Sequence, residues 1–324
     1  MIVGYGSIGK RHLTNIESIV KAEIILCTKR KDLDSLKRKN VKIFPTIEKC
    51  ILEKPDFAII TNETAYHITS AIKLAKRGID LFIEKPLSNS KKDIRLLERI
   101  VKEKKLVTQM GFNLRFHDCI KKIKQLVHQK QIGKIISIQC ENGSYLPDWH
   151  PYENYRQSYA GKQKLGGGII LTMIHDIDYL YWIFGEAKQV FSVAGKYSDL
   201  DISAEDYCAS IVRFKNKITA EIHLDFFLRP EFRSCKIKGT KGMIYWDSND
   251  NIVKLFNNTK KTWKTILKLK NFQRNQMYVE EIRHFMKCVQ NRKKTINDLQ
   301  QGIITMNIAL AMKDSAKKGK LMKI

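Results

Sequence analysis

Short apolar runs alternate with amphipathic stretches over the first 110 residues. The runs of strand length are the stub 2–6, then 22–27, 55–60, 79–84 and 106–112. Helical periodicity is found over 8–19, 32–39, 65–77 and 91–104, and Gly78 is placed to end the third of these helices. Alternation of strands and helices with short connections predicts a parallel sheet covered by helices on both faces.

The pattern changes after about residue 116. A helix over 119–131 leads into a long strand over 132–145, a loop rich in Tyr, Trp and Pro, and a glycine-rich helix start at 166–168. Six further strands are predicted over 190–197, 206–214, 218–228, 232–240, 242–247 and 252–256, followed by helices over 277–290 and 299–317. Long alternating strands separated by turns predict one large, open, mostly antiparallel sheet. We therefore expect an α/β protein with domains at 1–116 and 117–324.

Composition narrows the class of protein. With 43% apolar and 28% charged residues in 324 positions, the chain is expected to fold as two domains. No apolar run approaches the roughly 20 residues that cross a bilayer, and the start of the chain does not resemble a signal peptide. Seven scattered cysteines without a CxxC pair predict a cytoplasmic protein and no metal site.

The net charge of +26 raises the question of nucleic acid. The lysines are spread along the whole chain, however, with no arginine-rich arm and no zinc-finger spacing. We expect no specific nucleic-acid partner and no membrane partner. A positive field instead favours anionic small molecules such as nucleotides and sugar phosphates.

A GxGxxG motif lies between the first strand and the first helix. Gly4 permits a tight turn, Gly6 lets the backbone approach a pyrophosphate, and Gly9 permits close packing of helix on strand. The phosphates then face free N–H groups at the helix N-terminus, where Ser7 and Ile8 lie. The motif in this context predicts a Rossmann domain that binds a dinucleotide.

The end of the second strand predicts which dinucleotide. An Asp or Glu there would bind the ribose 2′-hydroxyl of NAD. The chain instead has Thr28, Lys29 and Arg30, which suit a 2′-phosphate. The cofactor is therefore expected to be NADP or NAD, with NADP favoured, unless these residues are only a solvated basic loop.

Several motifs occur together, in order. They are GYGSIGKRH at 4–12, DFAIITNETAYH at 56–67, EKP at 84–86, GFNLRF at 111–116, and a GGG…H..D segment over 166–178. In this combination the chain resembles the Gfo/Idh/MocA family, the relatives of glucose-fructose oxidoreductase and inositol dehydrogenase. The segment 144–152 also looks like the subset associated with surface-polysaccharide and nucleotide-sugar gene clusters.

The resemblance implies roles for individual residues. Lys85 is implied as the proton donor or acceptor for the substrate hydroxyl, and His175 as the second catalytic group. Glu84 would orient the Lys85 loop, and the Lys85–Pro86 bond is cis in relatives. Besides the glycine motif and the 28–30 loop, the implied cofactor contacts are Thr61, Asn62, His67, Glu84 and Lys85.

The implied substrate site contains one departure from the family. Its residues are Asn113, Arg115, Trp149, His150, Tyr155, Thr172, Asp176 and Asp178. Relatives usually have Asp where this chain has Thr172, and a hydroxyl cannot act as a carboxylate. Lys85 and His175 therefore remain as the catalytic pair, assisted by Asp176 or Asp178.

The expected function is an NAD(P)-dependent oxidoreductase. A hydride would pass between nicotinamide and a secondary alcohol of a sugar or nucleotide sugar, held in a cleft between the domains. Two alternatives stay open: a non-catalytic NAD(P)-binding regulatory protein, and an NAD-dependent glycoside hydrolase of the same family. An apolar sheet face also favours a homodimer or homotetramer.

Overall fold

The computed structural model describes residues 1–31, 33, 36, 40–151 and 153–324. Most of the predicted helix over 32–39, and Tyr152 of the predicted substrate loop, lie outside these residues. By its contacts the chain divides into two compact units. The first contains Met1–Asn113 and Arg274–Ile304, and the second contains Leu114–Gln273 and Thr305–Ile324. The segment 274–304, which was expected in the second domain, thus packs within the first unit.

The first unit is built on a six-stranded sheet. Its strands are β1 (Ile2–Val3), β2 (Ile24–Cys27), β3 (Val41–Phe44), β4 (Phe57–Ile60), β5 (Asp80–Ile83) and β6 (Thr108–Met110). Its helices are α1 (Ser7–Ile19), α2 (Ile47–Leu52), α3 (His67–Ala75) and α4 (Ile94–Glu103), joined from later in the chain by α8 (Arg274–Gln290). All strand pairs are parallel, as predicted, and the strand order is β3-β2-β1-β4-β5-β6.

The core of the first unit joins distant parts of the sequence. Ile59 and Phe82 of the sheet are fully buried in one cluster with Leu13 of α1. Ile282 and Phe285 of α8 complete that cluster, although they lie about 200 residues later in the sequence than the sheet. Because apolar burial is the main favourable term in folding, α8 is part of this unit rather than an accessory to it.

The second unit is built on a nine-stranded sheet. Its strands are β7 (Ile135–Gly143), β8 (Ala187–Gly195), β9 (Tyr207–Phe214), β10 (Thr219–Asp225), β11 (Phe232–Gly239), β12 (Gly242–Asp247), β13 (Ile252–Asn257), β14 (Thr262–Lys268) and β15 (Met322–Lys323). Its helices are α5 (Asp118–His128), α6 (Ile169–Thr172), α7 (His175–Phe184) and the greater part of α9 (Leu299–Lys318).

The order of this sheet is β14-β13-β12-β11-β7-β10-β9-β8-β15. The prediction of a large, mostly antiparallel sheet is confirmed, with one parallel pair between β7 and β10, in which Ile222 is opposite Cys140. Since β7 and β10 run in the same direction, their carboxyl ends lie at one edge of the sheet, and the antiparallel β11 begins at that edge.

Among the described residues, no helix combines the length and the apolar character needed to span a bilayer.

Candidate active site

The glycine motif of the first unit forms a turn packed against the end of β4. Gly4 has φ +97°, and a Cβ there would lie 2.7 Å from the Asn62 backbone nitrogen. A Cβ on Gly9 would lie 2.4 Å from the Gly4 carbonyl oxygen, whereas a Cβ on Gly6 would meet nothing within 4 Å. The outer glycines are therefore required by packing. The middle glycine faces open space beside the start of α1, which is the space a pyrophosphate needs.

Thr61, the residue that follows β4, supports this turn. Its hydroxyl lies 3.0 Å from the carbonyl oxygens of both Val3 and Gly4, and its backbone N–H donates to Val3. Ser7 and Ile8 follow the turn as the first residues of α1, which has no acidic residue in its first turn. The N-terminus of α1 therefore carries no side-chain charge that would repel a phosphate.

Two loops that follow neighbouring strands are joined by His67. Its Nδ1 lies 2.8 Å from the Pro86 carbonyl oxygen, and its Nε2 lies 2.8 Å from the Asn62 carbonyl oxygen. Burial lowers the pKa of His67, although both carbonyl groups oppose this shift. A neutral ring can donate to only one of the two carbonyls. The Asn62 side-chain amide donates to Ser70, and its buried Oδ1 has no partner among the described residues.

Glu84 is held between α1 and the loop that carries Lys85. His12 Nε2 lies 2.7 Å from Glu84 Oε1, and Lys85 donates its backbone N–H to Glu84 Oε2 at 3.2 Å. Gly111 makes room for the carboxylate, since a Cβ there would lie 2.8 Å from Glu84 Cδ. The Lys85–Pro86 bond is cis, and the Lys85 side chain is half-buried. The Glu84 carboxylate, which His12 holds in place, thus fixes the backbone of Lys85.

The basic loop after β2 lies close to the glycine turn. The Thr28 hydroxyl accepts the Arg30 backbone N–H at 3.2 Å, and the Arg30 guanidinium donates to the Tyr5 carbonyl oxygen at 3.3 Å. Lys29 and Arg30 are exposed. The structure therefore brings these predicted cofactor residues to the glycine motif, with both cations open to solvent.

In the second unit, Asp176 at the start of α7 is buried in a polar network. Asn142 donates to Asp176 Oδ2 at 2.7 Å, and Arg233 Nε lies 3.3 Å from Oδ1. Burial raises the pKa of Asp176, and these neighbours oppose that shift. Asn142 is the last but one residue of β7 and Arg233 is the second residue of β11, so the network lies at the sheet edge where β7 and β10 end.

Arg115 and Asp178 form an internal ion pair. Arg115 Nε and Nη2 donate to the two carboxylate oxygens at 2.9 and 2.6 Å, and the Thr305 hydroxyl donates to Oδ1 at 3.3 Å. Both residues have no exposed surface. Burial raises the pKa of Asp178, whereas Arg115 favours the carboxylate. Both side chains are buried and bonded to each other, so neither is available to a ligand. We therefore assign Arg115 and Asp178 a structural role.

The other predicted substrate residues differ in access. His175 is the first residue of α7 and is half-buried, whereas Thr172, the last residue of α6, is buried. Asn113 belongs to the first unit and is 3% exposed, with an Oδ1 that has no partner among the described residues. Asp176 is fully buried in its network. Of this group, His175 has the most accessible side chain.

The aromatic loop after β7 is fixed at both ends. Trp149 donates its indole N–H to the Ser144 hydroxyl at 2.7 Å and packs edge-on against Phe226 at 5.4 Å. Tyr155 and His150 are half-buried, and the Tyr155 hydroxyl accepts the Asp201 backbone N–H at 3.4 Å. Trp149 thus has a packing role, which does not prevent its exposed part from contacting a sugar ring.

Sequence reasoning missed four residues that build these sites. His12, Asn142, Arg229 and Arg233 have no motif of their own. Arg229 lies 3.9 Å from the centre of the Tyr145 ring, next to the aromatic loop. His12 could have been found only through its place at the end of the GYGSIGKRH segment. Asn142 could have been found only through its place near the end of a predicted strand.

Comparison with known proteins agrees with both units. Residues 1–112 match the model of the oxidoreductase family with an NAD-binding Rossmann fold, and residues 120–245 match the GFO/IDH/MocA C-terminal domain. The chain is 26% identical to myo-inositol 2-dehydrogenase of Thermotoga maritima, across 100% of this chain and 97% of that protein. It is 24% identical to scyllo-inositol 2-dehydrogenase (NAD(+)) of Bacillus subtilis, across 98% and 94%.

A solved structure supports the same fold. Levoglucosan dehydrogenase in complex with NADH and levoglucosan superposes with a TM-score of 0.88 at 17% identity, covering 100% of this chain and 98% of that one. The two family matches together cover well over half of the sequence, and they confirm the resemblance inferred from the motifs. The chain belongs to the GFO/IDH/MocA family of oxidoreductases with an NAD-binding Rossmann domain.

Proposed function

We propose that this chain is a dehydrogenase that oxidises or forms a secondary alcohol of a sugar, a cyclitol or a nucleotide sugar. The observation that carries the proposal is the fixed position of Lys85. Its backbone is held by Glu84, which His12 anchors, and the next residue is tied to the Asn62 loop through His67. A bound nicotinamide would supply hydride transfer.

Lys85 is the proposed proton donor and acceptor for the substrate hydroxyl. Its ammonium carries the proton, and its half-buried stem limits the positions that the amine can reach. His175 is the proposed second polar group, which orients the hydroxyl from the start of α7. Thr172 stands where relatives usually have Asp, so we assign no proton transfer to that position.

The cofactor residues are proposed on the same basis. Ser7, Ile8 and Gly6 would contact the pyrophosphate. Asn62, whose Oδ1 has no partner in the part of the chain that the structure describes, would contact the cofactor from the loop after β4. Thr28, Lys29 and Arg30 would bind the adenosine ribose or its 2′-phosphate. We further propose that the protein works in the cytoplasm.

Assembly through the large sheet is also part of the proposal. Phe191 of β8 is directly opposite Ile211 of β9, and both are exposed on one face together with Val193. Neighbouring exposed apolar residues of this kind are typical of an interface. We propose a homodimer or homotetramer, which light scattering on the native chain and on an Ile211→Lys variant would test.

The activity is tested by Lys85 substitution in a cofactor-reduction assay with a panel of sugars, cyclitols and nucleotide sugars. Lys85→Ala should lower kcat by about 10² or more while cofactor affinity stays nearly unchanged. Lys85→Arg should not restore kcat, because guanidinium does not give up its proton near neutral pH. Lys91→Ala, a change of an exposed lysine in the same unit, is the matched control and should leave kcat unchanged.

Other outcomes would point to the alternatives. Tight cofactor binding without turnover on any substrate would favour a regulatory protein, and glycoside cleavage without net cofactor reduction would favour a hydrolase. Near-native turnover by Lys85→Ala would contradict the assignment of Lys85.

A further inference from the structure

The chain segments that follow β7 and β10 are bonded to each other at one edge of the second unit. Ser144 donates its backbone N–H to the Asp225 carbonyl oxygen at 3.2 Å. Leu146 donates its backbone N–H to the Phe226 carbonyl oxygen at 3.0 Å. The parallel pairing of β7 with β10 thus continues beyond the last residue of both strands, and Tyr145 lies between the two added bonds in the sequence.

The segment after β10 is also fixed by a side chain of its own strand. Asp225 Oδ1 accepts the Phe227 N–H at 2.9 Å and the Leu228 N–H at 2.6 Å. A carboxylate that bonds to successive backbone N–H groups in this way holds a turn in one conformation. Arg229 follows directly, so its backbone begins from a fixed point.

The guanidinium of Arg229 is an exposed positive charge that stacks on an aromatic ring. Its central carbon lies 3.9 Å from the centre of the half-buried Tyr145 ring. Within the described parts of the chain, no carboxylate forms an ion pair with Arg229. Stacking restricts the orientation of the guanidinium plane but does not occupy the N–H groups in that plane. This edge of the unit therefore presents an uncompensated cation with its donors available.

A second guanidinium, four residues later, connects this edge to the start of α7. Arg233 Nε lies 3.3 Å from Oδ1 of the buried Asp176, and 19% of the Arg233 side chain is exposed. The carboxylate balances the charge of Arg233, so Arg229 supplies the net positive charge of the pair. Because Asp176 directly follows His175, this edge also carries the proposed hydroxyl-orienting group.

We propose that Arg229 binds an anionic group of the substrate, so that the sugar or cyclitol carries a phosphate, a diphosphate or a carboxylate. A planar guanidinium donates two parallel hydrogen bonds to any of these anions. The half-buried rings of Tyr145 and Trp149 lie on the same loop and offer apolar surface to a sugar ring. The inference rests on the proposed function, since it names the substrate class of that site.

The contact is made to a group that does not react, so it should be equally strong before and during hydride transfer. Arg229→Ala should therefore raise KM for an anionic substrate about tenfold and leave kcat unchanged. KM for a neutral sugar should not change. Arg229→Lys should restore only part of the affinity, because an ammonium keeps the charge but lacks the planar pair of donors.

The experiment compares four probes that share one glucose ring: glucose, glucuronate, glucose 6-phosphate and uridine diphosphate glucose. Their binding to the full chain with NADH or NADPH is measured by calorimetry, and their oxidation by cofactor reduction. At least one charged probe should bind about tenfold or more tightly than glucose, and Arg229→Ala should abolish this difference. The preferred probe distinguishes a carboxylate, a single phosphate and a diphosphate.

Arg213→Ala is the matched control, because Arg213 is an exposed arginine of the same unit that lies opposite Thr219, at the amino end of β10. This variant should keep the preference for the charged probe. An equal loss in Arg213→Ala would show attraction by the overall positive charge alone and would overturn the inference. Charged probes that bind no more tightly than glucose would overturn it as well.

The two readouts separate this inference from the proposed function. If the native chain oxidises neutral sugars without any preference for charged ones, the proposed function stands and the assignment of Arg229 fails. If a charged probe binds through Arg229 but no probe reduces the cofactor, the assignment of Arg229 stands and the proposed function fails.

Discussion

His12 and Glu84 form a buried contact across 72 residues of sequence, with His12 Nε2 2.7 Å from Glu84 Oε1. The His12 side chain has no exposed surface and that of Glu84 has 8%. The second oxygen of the same carboxylate accepts the Lys85 N–H. An imidazole on the first helix therefore fixes the position of the proposed catalytic loop.

Replacing His12 by alanine should destabilise the protein. The change leaves a buried carboxylate with one partner fewer and opens a cavity beside Phe82, so we expect a loss of about 3 kcal/mol in the free energy of unfolding. Urea denaturation measures it. His128→Ala, the same change at an exposed site, should stay within about 0.5 kcal/mol. Equal effects at the two sites would contradict the role of His12.

The glycine turn permits a separation of packing from binding. Gly6→Ala should change stability by no more than about 1 kcal/mol, because its φ is −80° and the added methyl meets open space. It should weaken dinucleotide binding about tenfold or more by occupying the space of the pyrophosphate. Gly9→Ala should cost about 2–3 kcal/mol, since its Cβ would lie 2.4 Å from the Gly4 oxygen. Calorimetric titration measures the effect of each variant on binding, and denaturation measures its effect on stability. Unchanged binding by Gly6→Ala would refute the placement of the phosphates.

Cofactor preference should follow the charge of the loop after β2. With Thr28, Lys29 and Arg30 and no acid at this position, we expect tighter binding of NADPH than of NADH. Arg30→Ala should reduce that preference by about tenfold, or about 1.4 kcal/mol, in calorimetric titrations of both cofactors. Lys76→Ala, which removes an exposed cation from the end of α3, should leave it unchanged. A native preference for NADH of tenfold or more would exclude the interpretation.

The parallel direction of the first sheet could be predicted because five of its six strands are short, apolar and followed by a helical pattern. β3 was missed because its charged Lys42 and its short length conceal the alternation, and β14 because most of its residues are exposed. The parallel pairing of β7 with β10 is a non-local choice that the pattern of neither strand reveals. The pairing of Arg115 with Asp178 is also non-local. Both are residue types that suit a substrate site, and the sequence does not reveal that they contact each other at 2.6 Å.

Stability should fall in mild acid through His117. Its Nδ1 accepts the Cys119 N–H at 3.1 Å, its Nε2 lies 3.1 Å from Asn251 Oδ1, and burial lowers its pKa to about 4. Between the unfolded value of about 6.5 and pH 4 the unfolded chain binds a proton that the folded chain does not. The free energy of unfolding is therefore unaffected by the titration of His117 above pH 6.5. It decreases as the pH falls from 6.5 to 4, by about 3 kcal/mol in all.

His117→Asn tests this dependence. Asparagine can accept the same N–H at the start of α5 but does not titrate, so the free energy of unfolding should depend less steeply on pH between 6.5 and 4. Stability at neutral pH should fall, since the buried imidazole is removed. Urea denaturation at several pH values measures both quantities. The other histidines are common to the two proteins, so an identical slope would show that His117 is not responsible.

The return of α8 to the first unit has a consequence for protein synthesis. Ile282, Phe285 and Cys288 of α8 close a core whose other buried members precede residue 108, and Asn297 donates to the Met110 carbonyl oxygen at the edge strand. A ribosome must therefore add about 160 residues after the last strand of this sheet before α8 emerges, which takes roughly 10 to 30 s at ordinary elongation rates. During that interval the nascent nucleotide-binding unit carries an uncovered apolar face, and it reaches its native core only after α8 has been synthesised.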